Sequence, residues 1–497
     1  MQGEEVRASA PFRRYLLLIL LVACVLRCWR LNASSYWLDE ILQVYFVQGT
    51  WKFFWTTLRL DAVHPPLDYL VTRLVNFSHP ADWVRKLPAI LWGTVTIGAL
   101  AALLRRRIGE EAALAGALLL ALAPFHVRYS QELRPYSLGL CLLSLSLLLL
   151  DRYLDWPTWP RLLAFYLCSL ATAYTLYLAA VVLPLAAAAL LVEDALSNDS
   201  GRRTAARRFL VWSPVFLLAS LAPYLPWIPV VMEAAHRAPP AASPPMNLAR
   251  FGQLLAFFSF ASEEGQPLRP AGLAYILLAA TGVVLACRRK SARFLVFWLL
   301  IGCASTETLE QLHPHFYTTR HFLTAGLALP ILAALPLALL FAQMKTRAIA
   351  TFALTIVGVL DLGALRNYYR DGRPDWRTIG SYLSARPRTE RIFAENQYTA
   401  LCVAYYTAGP EYLYRQGRLL PDVASLDGEA IRVARSWTPG TTAWLVLGGS
   451  PQHEQLRAWS SSFPTLPFPR AQGASLRRLD PELLQKMTAS VPRPPKS

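Results

Sequence analysis

The sequence predicts an all-α polytopic membrane domain of about eleven spans, with outer-face amphipathic helices and a small C-terminal α/β domain. Three observations predict it. Apolar runs recur along the 497 residues, 54% of which are hydrophobic, and several approach the ~20 residues that cross a bilayer. Only 16% of residues are charged, against roughly a quarter in soluble chains. The positive charge, +17 in all, is gathered between the apolar runs rather than on one basic face. That distribution fits cytoplasmic loops and excludes nucleic acid as a partner.

The spans are expected at about 15–31, 87–104, 111–126, 135–151, 161–176, 177–193, 209–232, 271–287, 293–306, 321–343 and 347–364. Arg13-Arg14, Arg105-Arg106-Arg107, Arg152 to Arg161, Arg202 to Arg208, Arg288-Arg289-Lys290 and Lys345 to Arg347 then share one side, the cytoplasm. Residues 66–77 hold Asp68 and Arg73 and are short for a crossing. Counting them as a span would reverse every later loop. They are expected as an amphipathic helix on the outer surface. The outer side receives 32–86, 126–134, 233–270, 307–320 and everything after about 365. This divides the chain into a membrane domain, 1–364, and an extracytoplasmic domain, 365–497. Strands are expected at 391–394 and 443–447 and a helix at 376–384. Pro239–Pro245 reads as an extended loop. The expected location is a multi-pass plasma membrane, the bacterial inner one, with the N-terminus cytoplasmic.

Arg13-Arg14 before an apolar run resembles a signal peptide, and Leu21-Val22-Ala23-Cys24 a lipoprotein cleavage box. The run continues to about Leu31, so an uncleaved first span is expected. The seven cysteines contain no C-x-x-C pair, and six sit in or beside apolar runs, which argues against a disulfide framework or a thiolate zinc site.

Polar residues then stand out against this background. Asp39 and Glu40 lie just after the first span. Ionisable groups at a membrane are costly and point to function, here proton transfer. Asp39 can equally cap a helix beginning at Glu40, and both roles can hold. His64 precedes Pro65-Pro66, where it can donate to an anion, ligate a metal, or only open a helix. Arg128, Glu132 and Arg134 cluster between two apolar runs, suiting a buried ion pair or a phosphate clamp. A lone interfacial arginine can simply snorkel, but these three so close together suit the pair or the clamp better. His313, His315, Arg320 and His321 precede a late span, with Arg320 as an anion contact and zinc as the lesser reading. No Gly-rich nucleotide loop, G-x-S-x-G or H-E-x-x-H occurs.

Taken in order, these residues resemble the GT-C glycosyltransferases, in the branch of protein O-mannosyltransferases and lipid A aminoarabinose transferases. Leu26-Arg27-Cys28-Trp29-Arg30-Leu31 with Ser35-Tyr36-Trp37-Leu38-Asp39-Glu40 is similar to the family's opening. His64-Pro65-Pro66-Leu67 is similar to its second motif, and Ser130-Gln131-Glu132-Leu133-Arg134-Pro135-Tyr136 to its third. Arg320-His321-Phe322-Leu323, and Asn367-Tyr368-Tyr369 with Asp375-Trp376-Arg377, resemble later ones. The match runs along about 26–385. His64 replaces the lysine that aminoarabinose transferases place before Pro-Pro, and Pro135 an apolar residue.

The resemblance implies a donor sugar on a polyprenyl phosphate and a lipid, glycan or protein acceptor, joined on the outer face with inversion. It implies Asp39 as base, with Glu40 in support. The leaving phosphate would be held by cationic donors drawn from His64, Arg128, Arg134 and Arg320, within a lipid-phosphate site that also includes Glu132 and Tyr136. No cofactor is required; a divalent metal is compatible but not predicted. The alternatives are a lipid-linked glycan ligase of similar architecture and a transporter or flippase. A transporter would favour inverted repeats and broken spans at the midplane.

Overall fold

The computed structural model describes residues 8–76, 81–237, 247–260, 270–312, 319–370, 374–387, 389–409, 423–426, 441–448, 454–466, 474–483 and 485. His313, His315 and the Pro239–Pro245 loop lie outside the described residues. The chain divides into two compact units, residues 1–29, 56–71 and 85–369, and residues 30–55, 72–84 and 370–497.

The helices are α1 Ala10–Cys28, α2 Leu38–Phe46, α3 Trp51–Asp61, α4 Leu67–Val75, α5 Asp82–Arg85, α6 Leu87–Arg107, α7 Glu110–Leu122, α8 Pro124–Ser130, α9 Tyr136–Asp155, α10 Trp159–Ala173 and α11 Tyr177–Ala195. They continue as α12 Ser200–Tyr224, α13 Ile228–Arg237, α14 Leu248–Phe260, α15 Pro270–Arg288, α16 Arg293–Leu312, α17 Leu323–Gly326, α18 Ala328–Ala342, α19 Arg347–Arg370, α20 Trp376–Ser384, α21 Gln397–Ala408 and α22 Glu454–Ser460. Each expected span falls on helical residues, those at 111–126, 209–232 and 321–343 on successive helices rather than one. Among the described residues, five helical stretches are long and apolar enough to cross a membrane, or seven if two bent pairs each count as one span. That is fewer than the eleven expected, for a physical reason. Several of the other helices, such as α10 with 15 residues, are short of a straight crossing, and α1 carries Arg13, Arg14 and Arg27.

The first unit is held by packing of small and branched side chains. Gly282 on α15 lies against α18 so closely that a Cβ there would meet the Leu332 carbonyl oxygen at 1.8 Å. α18 is buried throughout Ala328–Leu335, and Phe125, Phe258, Phe294, Trp298 and Phe322 fill the surrounding core. By contrast, Leu17, Leu21, Val211, Leu218, Leu277, Phe352 and Val359 are more than half exposed on long apolar helices. Such residues face lipid rather than water. The nine-residue α4 spans only about 14 Å. It buries Tyr69 and Thr72 and exposes Leu74, the two-faced pattern expected of an interfacial helix.

In the second unit, β1 Arg391–Ala394, β2 Val423–Ser425, β3 Ala443–Leu447, β4 Thr465–Leu466 and β5 Ser475–Leu479 form one sheet in the order β2-β1-β3-β5-β4. β1 pairs in parallel with β2 and β3, while β5 is antiparallel to β3 and β4. The central β3, AWLVL, is buried at every residue, as a strand covered on both faces requires. Phe393, Leu445, Leu456, Phe463 and Leu479 form its core. α20 and α21 start on capping side chains, Asp375 accepting from Thr378 N at 3.1 Å and Asn396 from Thr399 N at 2.9 Å.

Candidate active site

The turn bearing His64 is built by fixed backbone contacts. α3 ends at Ala62, whose φ of 48° is left-handed, a region that ordinarily calls for glycine. The Ala62 carbonyl accepts from the Tyr177 hydroxyl at 3.2 Å, and that hydroxyl accepts from Trp227 Nε1 at 2.9 Å. Past the two prolines, Leu67 N donates to the Tyr174 carbonyl at 2.9 Å. His64 between these anchors is 8% exposed, and Tyr136 meets its ring edge-on at 5.9 Å. Its Nδ1 has no hydrogen bond among the described residues.

Burial lowers the His64 pKa well below its ordinary value, and the charges of Arg134, Arg320 and His321 lower it further. The ring is therefore neutral near pH 7. This corrects the expectation of His64 as one of the cations: it enters as a hydrogen-bonding group, and the charge comes from the arginines around it.

Those arginines sit at two breaks in the bundle. α7 and α8 meet at 63°. The break is at Ala123, extended at φ −57° and ψ 116°, which the following Pro124 requires. The bend frees the Ala121 carbonyl, and the fully buried Arg27 of α1 donates to it at 3.2 Å. Arg27 also donates to Ser130 Oγ at 3.2 Å and lies 2.5 Å from His126 Nδ1. Gly93 makes room, since a Cβ there would strike Ser130 Oγ at 2.1 Å. Gln131 completes the clamp, donating to the carbonyls of Arg27 and Trp29 and accepting from the Tyr368 hydroxyl. The turn so held presents Glu132 and Arg134, both buried. Arg128 Nε faces Glu132 Oε1 at 3.6 Å, an ion pair too long for a hydrogen bond. Arg134 hydrogen-bonds the buried Tyr69.

The second break bends the stretch Thr319–Gly326 by 40° from α18. Pro330 lacks the N–H that the Gly326 carbonyl would accept in an unbroken helix. Gly326 is needed for a further reason: a Cβ there would meet the Phe258 ring at 2.2 Å. The segment opens with Arg320 and His321, the latter with Nδ1 2.6 Å from Glu310 Oε1.

These pieces enclose a cavity of about 500 Å³ within the first unit. Its polar wall is Asp61, His64, Tyr136, Glu310, Arg320 and His321; the rest includes Leu60, Val63, Leu176, Val231, Leu309 and Leu323. An apolar hollow with a few convergent polar groups is the general form of a small-molecule site. Of the expected lipid-phosphate residues, the structure brings His64, Tyr136 and Arg320 into one wall, with Arg134 beside His64. Arg128 and Glu132 pair on the neighbouring turn. Tyr69 and Glu310 were not singled out by sequence; an acid ending the apolar run of α16 was the available signal for Glu310.

Asp39 and Glu40 belong to the second unit. α2 begins at Leu38 with Trp37 as its N-cap, earlier than expected. Glu40, third in the helix, reaches back to accept the Trp37 N–H at 3.3 Å. The capping role expected of Asp39 therefore falls to the fully buried Glu40. Asp39 is half-buried beside Cys402 of α21.

Comparison with known proteins places this geometry. Residues 63–227 match the family of dolichyl-phosphate-mannose-protein mannosyltransferases, a third of the chain that includes the His64 turn and the 130–136 turn. No curated protein matches by sequence. The crystal structure of ArnT from Cupriavidus metallidurans in the apo state is similar at a TM-score of 0.55 and 13% identity, over 96% of this chain and 99% of that one. The same protein bound to undecaprenyl phosphate gives 0.54 and 15%, over 95% and 98%. The Archaeoglobus fulgidus oligosaccharyltransferase gives 0.47 and 11%, over 84% and 61%. This chain thus has the fold of ArnT, with several helices long and apolar enough to cross a membrane.

Proposed function

We propose that this protein is an integral membrane glycosyltransferase. It moves a sugar from a polyprenyl-phosphate donor to a lipid, glycan or protein acceptor on the extracytoplasmic face, with inversion. The observation that carries the reading is the cavity, which sets Arg320 and His64 in one wall and aliphatic side chains around them. Two arginines near a neutral imidazole suit a phosphate, and the aliphatic lining suits a prenyl chain. ArnT, similar in fold over nearly its whole length, has been solved bound to undecaprenyl phosphate.

The reaction needs no metal in this reading. Asp39 takes the proton of the acceptor hydroxyl, whose oxygen attacks the anomeric carbon from the face opposite the phosphate. The bond between that carbon and the phosphate oxygen breaks, and its electron pair leaves with the polyprenyl phosphate. Arg134 and Arg320 receive the developing charge, and His64 donates one N–H to it. Glu40 holds the N-terminal turn that carries Asp39.

The test is transfer from radiolabelled polyprenyl-phosphate sugars in vesicles, comparing wild type with Asp39→Asn. Transfer by wild type and its loss in the variant are expected. Label transfer that survives the substitution removes Asp39 as base. Movement of labelled donor across the vesicle, with no transfer, replaces the enzyme by a transporter.

A further inference from the structure

Asp82 takes no part in the reaction above, yet the second unit converges on it. Its Oδ1 accepts from the Tyr405 hydroxyl at 3.1 Å, and its Oδ2 from the Tyr406 hydroxyl and from Arg377 Nη2, each at 3.0 Å. Its backbone carbonyl accepts from the Tyr36 hydroxyl at 2.7 Å. The Tyr406 oxygen accepts the Tyr36 N–H at 2.7 Å, so one hydroxyl links the carboxylate to the main chain just ahead of α2. Arg377 adds a second hold: its N–H donates to Ser35 Oγ at 3.0 Å and its Nη1 to the Asn32 carbonyl at 2.7 Å. Ser35 and Tyr36 are buried to 1% and 0% exposure. They directly precede Trp37, the residue on which α2 starts. One turn before Tyr406 on α21, Cys402 is buried beside Asp39. The helix that binds Asp82 therefore also backs the acid.

We infer that Asp82, acting through Tyr406 and Arg377, is a positioning residue that sets Asp39 for proton transfer. The inference rests on Asp39 being the base. It gives the C-terminal segment a definite role, in which α20 and α21 form the rear support of the loop that carries the acid. The physical reason is preorganisation. α2 has only nine residues and begins directly after the held residues 32–36, so its direction depends on what grips them. A carboxylate accepting from two hydroxyls and a guanidinium supplies charge-assisted bonds to that grip.

The experiment uses the full-length protein in lipid vesicles, with two readouts. Asp82→Asn keeps the shape of the side chain and removes its charge; Tyr406→Phe removes only the linking hydroxyl. Both are expected to lower kcat with the radiolabelled polyprenyl-phosphate sugar about 10- to 100-fold while donor KM moves less than about 2-fold, the effect of a misplaced acid. Asp82→Glu is expected to recover part of the loss. The second readout is alkylation by N-ethylmaleimide read by peptide mass spectrometry. Cys402 is expected to react faster in both variants, while Cys141, buried in the first unit, stays protected and rules out general unfolding. Wild-type kcat in Asp82→Asn, or a Cys402 as protected as in wild type, overturns the proposal. Asp39→Asn separates the two claims. It abolishes transfer and leaves Cys402 protected if the base is right; surviving transfer removes the base, and the alkylation result still judges the support.

Discussion

The two ends of α9 carry charge in opposite ways. At its C-terminal end Asp151 accepts from Arg106, Arg107 and Arg202, each at 2.6 Å, and Asp194 from Arg107 at 2.6 Å and Arg202 at 3.0 Å. Asp155 pairs with Arg106 and Arg202. Here three arginines meet three aspartates and Glu193, which lies 3.7 Å from Arg107, among the ends of α6, α9, α11 and α12. At the N-terminal end, roughly 30 Å away, Tyr136 stands in the cavity wall against His64, with Arg134 and Arg320 as the nearest cations. There the charge is arranged around a hollow. The same residue type thus serves cohesion at one end and lines a cavity at the other.

Substitutions can break this contrast. Asp151→Asn should cost the most in stability, about 3–5 kcal/mol, because three buried or half-buried guanidinium groups lose their shared acceptor. Thermal unfolding in detergent measures it, and transfer per folded molecule should be unchanged. Arg134→Gln should do the reverse, with kcat down about 10²- to 10³-fold, the usual size for a lost donor to a developing anion. Its melting temperature should move far less than that of Asp151→Asn. A stability loss at Arg134 equal to that at Asp151, with normal turnover, would erase the distinction between the two ends.

The smallest effect concerns His64 and sharpens the cavity's side of the contrast. Unfolded, its ring takes up a proton below about pH 6.5. Folded, burial and the neighbouring cations push that uptake to much lower pH. The unfolded state therefore binds more protons as pH falls through 6.5, and stability falls with it, by up to about 1.4 kcal/mol per pH unit. Melting temperatures between pH 8 and 5 should decline less in His64→Gln than in wild type. An equal decline would show that the ring is charged in the folded protein.

Much of this was legible in the residues. Apolar runs and loop charges placed the helices, because a chain in lipid must satisfy its own backbone bonds and only helices do so locally. Arg391–Ala394 and Ala443–Leu447 read as strands and are β1 and β3. The arginine clusters at 105–107 and 202–208 were legible as positive charge, but their aspartate partners were not, since Asp151 and Asp194 come from other helices. Residues 30–55 and 72–84 look like ordinary loops of the membrane part, yet they fold with the C-terminal segment. Asp82 shows why: its partners Tyr36, Arg377, Tyr405 and Tyr406 are up to 324 positions away.

By itself, then, the sequence determined the helical class, the strands at 391–394 and 443–447, and the clusters of positive charge between the apolar runs. These follow from local rules of periodicity, backbone restriction and charge. Only the tertiary structure decided that Glu40 rather than Asp39 caps α2, and that His64 is neutral. It also decided which aspartates meet Arg106, Arg107 and Arg202, and that Arg320 lines a cavity. Each of these depends on where a helix happens to start or on groups distant in the chain, and on the desolvation that packing alone imposes.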